Sequence, residues 1–313
     1  MPISLQWDGQ PGPAHVDTVE TANRLFDFLP QALHRVQGAA GAPPTPHAAI
    51  LTPLATGGGM AVYKLTALLP QQQTQHVVCK IPHQRRIVYT SATDHQSAEE
   101  STRQLLDRLV TLADHLAQHA PGLFPRSGGV WHWHAADGTP RHLLVEEFIS
   151  GLSVERLKHQ YEQAWLAQQM SPAVYHQRRT AVERLAVATF LRLWQALDRR
   201  LFTSDPSPWN VLVQQPNDEL TRQSAATIID LHGLEDNAGL TYVVQRLAAV
   251  YGLRQDILEE VLIPGILDAL GEAEGRALLL AEIPRLEAEA ERVRRNLGVD
   301  LQQPLLRLIR RLA

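Results

Sequence analysis

Residues 203–213, TSDPSPWNVLV, place an acid and an amide on one loop that two prolines stiffen. Asp205 is followed by Pro206 and Pro208, and Asn210 opens an apolar run. Asp, Pro, Ser and Asn are all common turn residues, so the simplest interpretation is a turn. The same spacing also suits chemistry, because the acid can accept a proton from a hydroxyl and the amide oxygen can bind a cation.

A second carboxylate, Asp230, ends the next apolar run, ATIIDL at 226–231. This run and the one that begins at Asn210 are short and joined by a polar connector, a pattern typical of two antiparallel strands. Such a hairpin would deliver Asn210 and Asp230 to the same neighbourhood. Phosphoryl transfer needs this grouping: an acid to accept the proton of the attacking hydroxyl, and oxygen ligands for Mg²⁺ on a triphosphate.

The predicted secondary structure changes along the chain from strands to helices. Residues 1–46 read as an N-terminal extension with a possible helix near 17–36, interrupted at Pro30, and a small-residue linker. Residues 47–149 contain mainly short β-prone runs, and two of them, at 61–69 and 76–81, flank the polar PQQQTQ and suggest a hairpin with a polar tip. Residues 150–313 are mostly of helical periodicity. The sequence therefore predicts an α+β fold with two lobes of different architecture.

Composition excludes several classes of protein. A net charge of -4 argues against a nucleic-acid-binding surface, and the single cysteine, Cys79, excludes an intrachain disulfide or a multi-cysteine metal site. No apolar run approaches the roughly 20 residues that span a bilayer. The N-terminus lacks a basic start followed by an apolar core, so we expect no secretory signal and a cytoplasmic protein.

The acid-and-amide motif and the second aspartate resemble the protein-kinase-like superfamily, which includes eukaryotic-type bacterial Ser/Thr kinases and aminoglycoside or choline-type kinases. Asp205 and Asn210 match the D-x-x-x-x-N spacing of its catalytic loop, and Asp230 corresponds to the aspartate of D-F-G. The resemblance implies a bilobal fold, with a small β-rich lobe at 47–149 and a larger helical lobe at 150–313. It also implies that Asp205 is the catalytic base and that Asn210 and Asp230 bind Mg²⁺.

The N-terminal half contains a glycine run that fits the same family. ATGGGMAVYKL at 55–65 resembles the glycine-rich loop of bacterial Ser/Thr kinases. Glycine lets the backbone pack close to phosphates and present its N–H groups, although three glycines are also an ordinary flexible turn. The residues that the resemblance places on ATP here are Gly57, Gly58, Gly59 and Val62.

Lys80 lies in an apolar run, HVVCKI at 76–81, where a buried lysine without a partner would be costly. The family pairs this lysine with a glutamate on the following helix, here a candidate helix at 97–118, and uses it to hold the α- and β-phosphates. Glu99 and Glu100 both qualify, and we favour Glu99 because it borders the apolar face of the helix. The alternative is an edge-strand lysine with both glutamates solvated.

LLVEEFISG at 143–151 resembles the strand and hinge that link the two lobes, where adenine meets backbone rather than side chains. In that register the Glu147 carbonyl and the Ile149 amide would face adenine. Glu146 would occupy a position that is usually apolar.

The sequence also departs from a standard protein kinase. The usual His-Arg before the catalytic aspartate is replaced by Thr203-Ser204, and there is no A-P-E segment after Asp230. These changes point to a small-molecule kinase or an atypical protein kinase, with ATP and Mg²⁺ as cofactors and an unidentified hydroxyl-bearing acceptor, protein or small molecule. The alternative is a pseudokinase that acts as a nucleotide-binding or protein-docking module.

Overall fold

The computed structural model divides the chain into two compact units. The first comprises Met1–Gln118 and Pro125–Phe148, and the second comprises His119–Phe124 and Ile149–Ala313. Outside the described residues are 1–3, 8–17, 39–40, 57–59, 83–91, 136–137, 139, 215–224, 232, 253, 289–290, 292–302 and 312–313. For residues 4–7, 18–23, 26, 55–56, 92–99 and 303–304 only the backbone is described.

The first unit contains a six-stranded sheet with strand order β1-β2-β3-β4-β6-β5. The first two strands are parallel and the other neighbours are antiparallel. The β3–β4 hairpin has the polar tip that the sequence predicts, a single 3₁₀ turn at Pro70–Gln72. The strands are β1 (Ser4–Trp7), β2 (Ala48–Thr56), β3 (Met60–Leu68), β4 (Thr74–Pro82), β5 (Ser127–His134) and β6 (Pro140–Glu147).

One face of this sheet packs against helix α1 (Thr18–Gln37). The β3 side chains alternate between buried and partly exposed, as expected for a strand with one covered face. Phe28 of α1 stacks on Trp131 with ring centroids 4.9 Å apart. The helix continues through Pro30, so the interruption expected there is not observed. The core on this face includes Leu25, Leu29, Leu33, Tyr63, Leu65, Val77, Cys79 and Val145.

The opposite face of the sheet carries a pair of histidines that contacts helix α2 (Ala92–His119). His132 and His142 lie opposite each other on β5 and β6, with their Nδ1 atoms 2.7 Å apart. His132 Nε2 lies 3.4 Å from Asp107 Oδ1 of α2. Burial, followed by the positive charges of His132, Arg103 and His134, lowers the pKa of His142 to about 4, although Asp107 opposes the shift.

This lowered pKa predicts a pH-dependent stability. Between pH 6.5 and about 4 the unfolded chain binds a proton at His142 that the folded chain does not, so the free energy of unfolding falls as the pH falls. We expect a loss of about 2 kcal/mol across this window, allowing for partial solvent screening. Urea unfolding at pH 7 and pH 4.5 measures this loss of stability. We expect the stability of His142→Gln to change less with pH than that of the wild type. An exposed control, His159→Gln, should leave the dependence unchanged, and an equally steep dependence in His142→Gln would contradict the assignment.

The second unit is built around helix α4 (Pro172–Ala196), whose C-terminal half is almost entirely buried. Helices α3 and α7 pack against it. The Ser153 and Ser171 hydroxyls accept the Arg156 and Val174 amide protons and so cap α3 and α4. The other helices are α3 (Val154–Leu166), α5 (Leu240–Tyr251), α6 (Gln255–Ile257), which continues through a π-helical turn (Leu258–Leu262) into α7 (Ile263–Leu270), α8 (Glu272–Ala281), α9 (283–288) and α10 (Gln303–Arg310).

Five short strands complete the second unit and form two small sheets, ordered β10-β9-β7 and β11-β8. They are β7 (Leu152–Ser153), β8 (Leu201–Thr203), β9 (Val211–Val213), β10 (Ala226–Ile228) and β11 (Leu234–Asp236). A β-rich first unit and a mainly helical second unit confirm the predicted α+β class, in the order of elements that the kinase-like resemblance implies. Among the described helices, none has the length and apolar character needed to cross a membrane.

Candidate functional site

The loop that carries Asp205 is anchored by pairing between β8 and β11. Thr203 lies opposite Leu234, and the Ser204 amide donates to the Gly233 carbonyl at 2.8 Å. The buried Thr203 hydroxyl accepts the Asp205 amide proton at 3.1 Å. The chain just before Asp205 is therefore fixed to the segment that follows Asp230.

Within the loop, the two prolines are buried and the chain makes a 3₁₀ turn over Pro208–Asn210. The Asn210 amide group donates to the Asp205 backbone carbonyl and to its carboxylate Oδ2, both at 3.3 Å. The Asp205 side chain itself is exposed. Because the amide nitrogen of Asn210 is the donor in both bonds, its oxygen keeps its capacity to accept from or bind another group.

The predicted hairpin is present and brings Asp230 to this loop. Strands β9 and β10 are antiparallel, with Val211 opposite Ile228. The next residues continue the pairing, since the Ile229 amide donates to the Asn210 carbonyl at 2.8 Å. The structure therefore brings Asp205, Asn210 and Asp230 together within the second unit, as the sequence predicts, while their chemical roles stay predictions.

Gly233 closes the same loop and lies close to the Ser204 side chain. Its φ is +55°, and a Cβ built there would lie 2.0 Å from Ser204 Oγ and 3.1 Å from Ser204 Cβ. Left-handed backbone is unfavourable for residues with a Cβ, and the clash adds to that cost. Gly233 therefore permits the close contact between the Asp205 loop and the segment after Asp230.

We expect Gly233→Ala to lower the free energy of unfolding by about 2 kcal/mol or more, because strain and overpacking add. Urea denaturation measures this loss. Gly122→Ala is the matched control, because that glycine also has positive φ (+83°) but has nothing within 4 Å of a built Cβ, so it shows the backbone strain without the clash. Ser204→Ala combined with Gly233→Ala should recover part of the loss, and a wild-type stability in Gly233→Ala would contradict the packing described.

In the first unit, Lys80 is buried and forms an ion pair with a residue that the sequence analysis did not select as its partner. Lys80 Nζ lies 2.8 Å from Glu146 Oε2. Strand β4 runs between β3 and β6, so the alternative of an edge-strand lysine is wrong. The Glu99 side chain lies outside the described residues, whereas Glu100 is exposed and accepts from Gln104 Nε2 at 2.7 Å.

The face of the sheet that carries Lys80 also carries apolar side chains. Val62 lies opposite Lys80 on β3, and Val78 lies two residues before Lys80 on β4; both are partly exposed. Partly exposed valines beside a buried ammonium suit a ligand with an apolar ring and an anionic group. Gly57, Gly58 and Gly59, between β2 and β3, lie outside the described residues, so their predicted contact with ATP stays a prediction.

The predicted hinge begins where β6 ends. The Glu147 amide donates to the Arg126 carbonyl at 2.9 Å, and the Glu147 carboxylate accepts the Arg126 amide proton at 3.2 Å. The boundary between the two units falls after Phe148. Contact of the Glu147 carbonyl and the Ile149 amide with adenine stays a prediction.

The second unit also contains a cavity away from the Asp205 loop. It has a volume of about 480 Å³ and lies along α4, and its lining includes the paired residues Arg184 and Asp268. Neither Asp205, Asn210 nor Asp230 lines it. Among the described residues, no group of three or more His, Cys, Asp or Glu side chains could hold a metal ion by itself.

The chain is also similar in structure to known proteins. No protein-family model and no curated protein matches the chain. The chain is similar to a solved structure, WaaP in complex with acyl carrier protein, with 14% sequence identity and a TM-score of 0.41. The similarity covers 83% of this chain and 92% of that chain. Similarity at this level carries no information on site residues or on activity.

Proposed function

We propose that this chain is an ATP-dependent phosphotransferase that moves the γ-phosphate of Mg-ATP to a hydroxyl acceptor. The observation that carries the proposal is the hydrogen bond from Asn210 to the Asp205 carboxylate, beside the hairpin that delivers Asp230. A general base, an amide oxygen and a second carboxylate are the groups that phosphoryl transfer requires of the protein.

Each residue has a role that follows from its position. Asp205 is exposed and oriented by Asn210, so its carboxylate can accept the proton of the acceptor hydroxyl. Asn210 and Asp230 would hold Mg²⁺ through one amide oxygen and one carboxylate, a donor set that suits this ion when phosphates complete its coordination. When bound, the ion would neutralise charge on the transferring phosphate. Lys80 would hold the α- and β-phosphates.

The residues before Asp205 favour an atypical or small-molecule kinase over a regulated protein kinase. Thr203 supports the loop by accepting the Asp205 amide proton, and Ser204 occupies the position of the arginine that would bind a phosphorylated activation loop. We therefore expect activity without prior phosphorylation, on an acceptor that is a small polyol or an atypical protein substrate.

The test is transfer of labelled γ-phosphate from ATP to a panel of sugars, amino alcohols and proteins, with and without Mg²⁺. We expect Mg²⁺-dependent transfer to at least one acceptor and stabilisation of the protein by Mg-ATP in a thermal-shift assay. Stabilisation by Mg-ATP without transfer to any acceptor would favour the pseudokinase alternative. If the assays show no stabilisation at millimolar nucleotide and no transfer to any acceptor, the proposed nucleotide chemistry is wrong.

A further inference from the structure

The ion pair between Lys80 and Glu146 is buried in the sheet of the first unit. The two residues are only 8% and 3% exposed, and Lys80 Nζ lies 2.8 Å from Glu146 Oε2. Charges are rarely buried without a partner, because removing them from water is costly. Each charge therefore makes the burial of the other possible.

The strand register explains why the two side chains meet. Strands β4 and β6 are antiparallel neighbours, with Val78 opposite Glu146 and Lys80 opposite Leu144. Lys80 and Glu146 are thus diagonal neighbours on one face, a spacing that long side chains readily bridge. The backbone hydrogen bonds of the sheet hold both ends of the pair in place.

The environment of Glu146 strengthens this interaction. On its other side Glu146 lies opposite the buried Ser127 of β5, and the neighbouring Leu144 is also buried. In surroundings with little water, an ion pair interacts much more strongly than at an exposed site. The position of the Lys80 ammonium is therefore tied to the Glu146 carboxylate.

We propose that Glu146 is a positioning residue for Lys80, so that a carboxylate of the sheet sets the ammonium for the nucleotide phosphates. This inference rests on the proposed phosphotransferase function. Glu146 acts through Lys80 and does not itself touch the reacting atoms.

The kinetic test compares Glu146→Gln with a control, Asp114→Asn, which removes an exposed charge of α2, using the full chain, Mg-ATP and the best acceptor found. We expect Glu146→Gln to lower kcat/KM for ATP by about 10- to 100-fold, the value of one charge-assisted hydrogen bond. Asp114→Asn should change it less than about threefold, and Glu146→Asp should recover part of the loss. Wild-type kinetics in Glu146→Gln would overturn the proposal.

A second measurement tests the pair without relying on activity. In urea unfolding, Lys80→Met and Glu146→Leu should each raise the unfolding equilibrium constant by at least about 100-fold, because each removes one member of a buried ion pair. The double variant should be closer to wild type than either single variant. Additive effects would overturn the pairing. If the stability effects of the two substitutions are coupled but Glu146→Gln leaves the ATP kinetics unchanged, the ion pair has a structural role only. If the wild-type protein neither binds ATP nor transfers phosphate, the proposed function is contradicted instead.

Discussion

Asp205→Asn should lower kcat for phosphoryl transfer by about 10²- to 10⁴-fold, the usual contribution of a general base. The dissociation constant for Mg-ATP should stay within about twofold of wild type, because this role assigns Asp205 to the acceptor hydroxyl rather than to the nucleotide. Asparagine keeps an oxygen that can accept the hydrogen bond from the Asn210 side chain, so the loop should keep its conformation. The measurements are initial rates at saturating ATP and calorimetric titration with Mg-ATP.

Glu235→Gln is the matched control for Asp205→Asn. Glu235 is exposed on β11, opposite Phe202 of β8, and so lies close in the fold to the same loop. Losing this charge should leave kcat unchanged, because Glu235 has no assigned role. If Asp205→Asn kept more than a third of wild-type kcat, Asp205 would not be the base.

Local patterns predicted the elements whose sequence periodicity is clear. Two short β-prone runs around a polar segment predicted the β3–β4 hairpin, and two short apolar runs around a polar connector predicted β9 and β10. The proximity of Asn210 and Asp230 follows from that second hairpin alone. This part of the site was predictable because the residues lie at the ends of paired strands.

Features that depend on strand order across the sheet were not predictable from the sequence. Strand β1, SLQW, is too short to show a periodicity, and its parallel pairing with β2 is a tertiary contact. Similarly, helix α1 was expected only as part of an extension, whereas its apolar face contributes to the core of the first unit.

Glu146 is the clearest case of a site residue that local reasoning could not place. A glutamate in an apolar strand gives no sign of its partner, because the partner depends on which strand lies beside it and in what register. The pairing with Lys80 needs β6 to lie directly beside β4, although α2 and β5 separate the two strands along the chain. The sequence showed only that a lysine and a glutamate each lie in an apolar run, where each would need a partner, but not that they are partners of each other.

Asp230→Asn is expected to remove Mg²⁺-dependent nucleotide binding, which distinguishes it from Asp205→Asn. Even residues that only support metal ligands typically contribute about 10- to 100-fold to metal affinity, so loss of a ligand carboxylate should weaken Mg-ATP binding by at least about 100-fold. Transfer should fall below detection at ordinary nucleotide concentrations. Calorimetry with ATP in the presence of Mg²⁺ or EDTA measures the effect, and EDTA should reduce wild-type binding to the level of the variant.

The hairpin itself should survive this substitution. The Ile229 amide, next to Asp230, bonds to the Asn210 carbonyl through the backbone, and asparagine has nearly the same volume as aspartate. Circular dichroism and the urea midpoint should therefore remain close to those of wild type, which separates loss of the ligand from loss of the fold. If the variant bound Mg-ATP as tightly as wild type, the metal would have to be held elsewhere, and the pairing of Asn210 with the Asp230 strand would serve only to position Asp205.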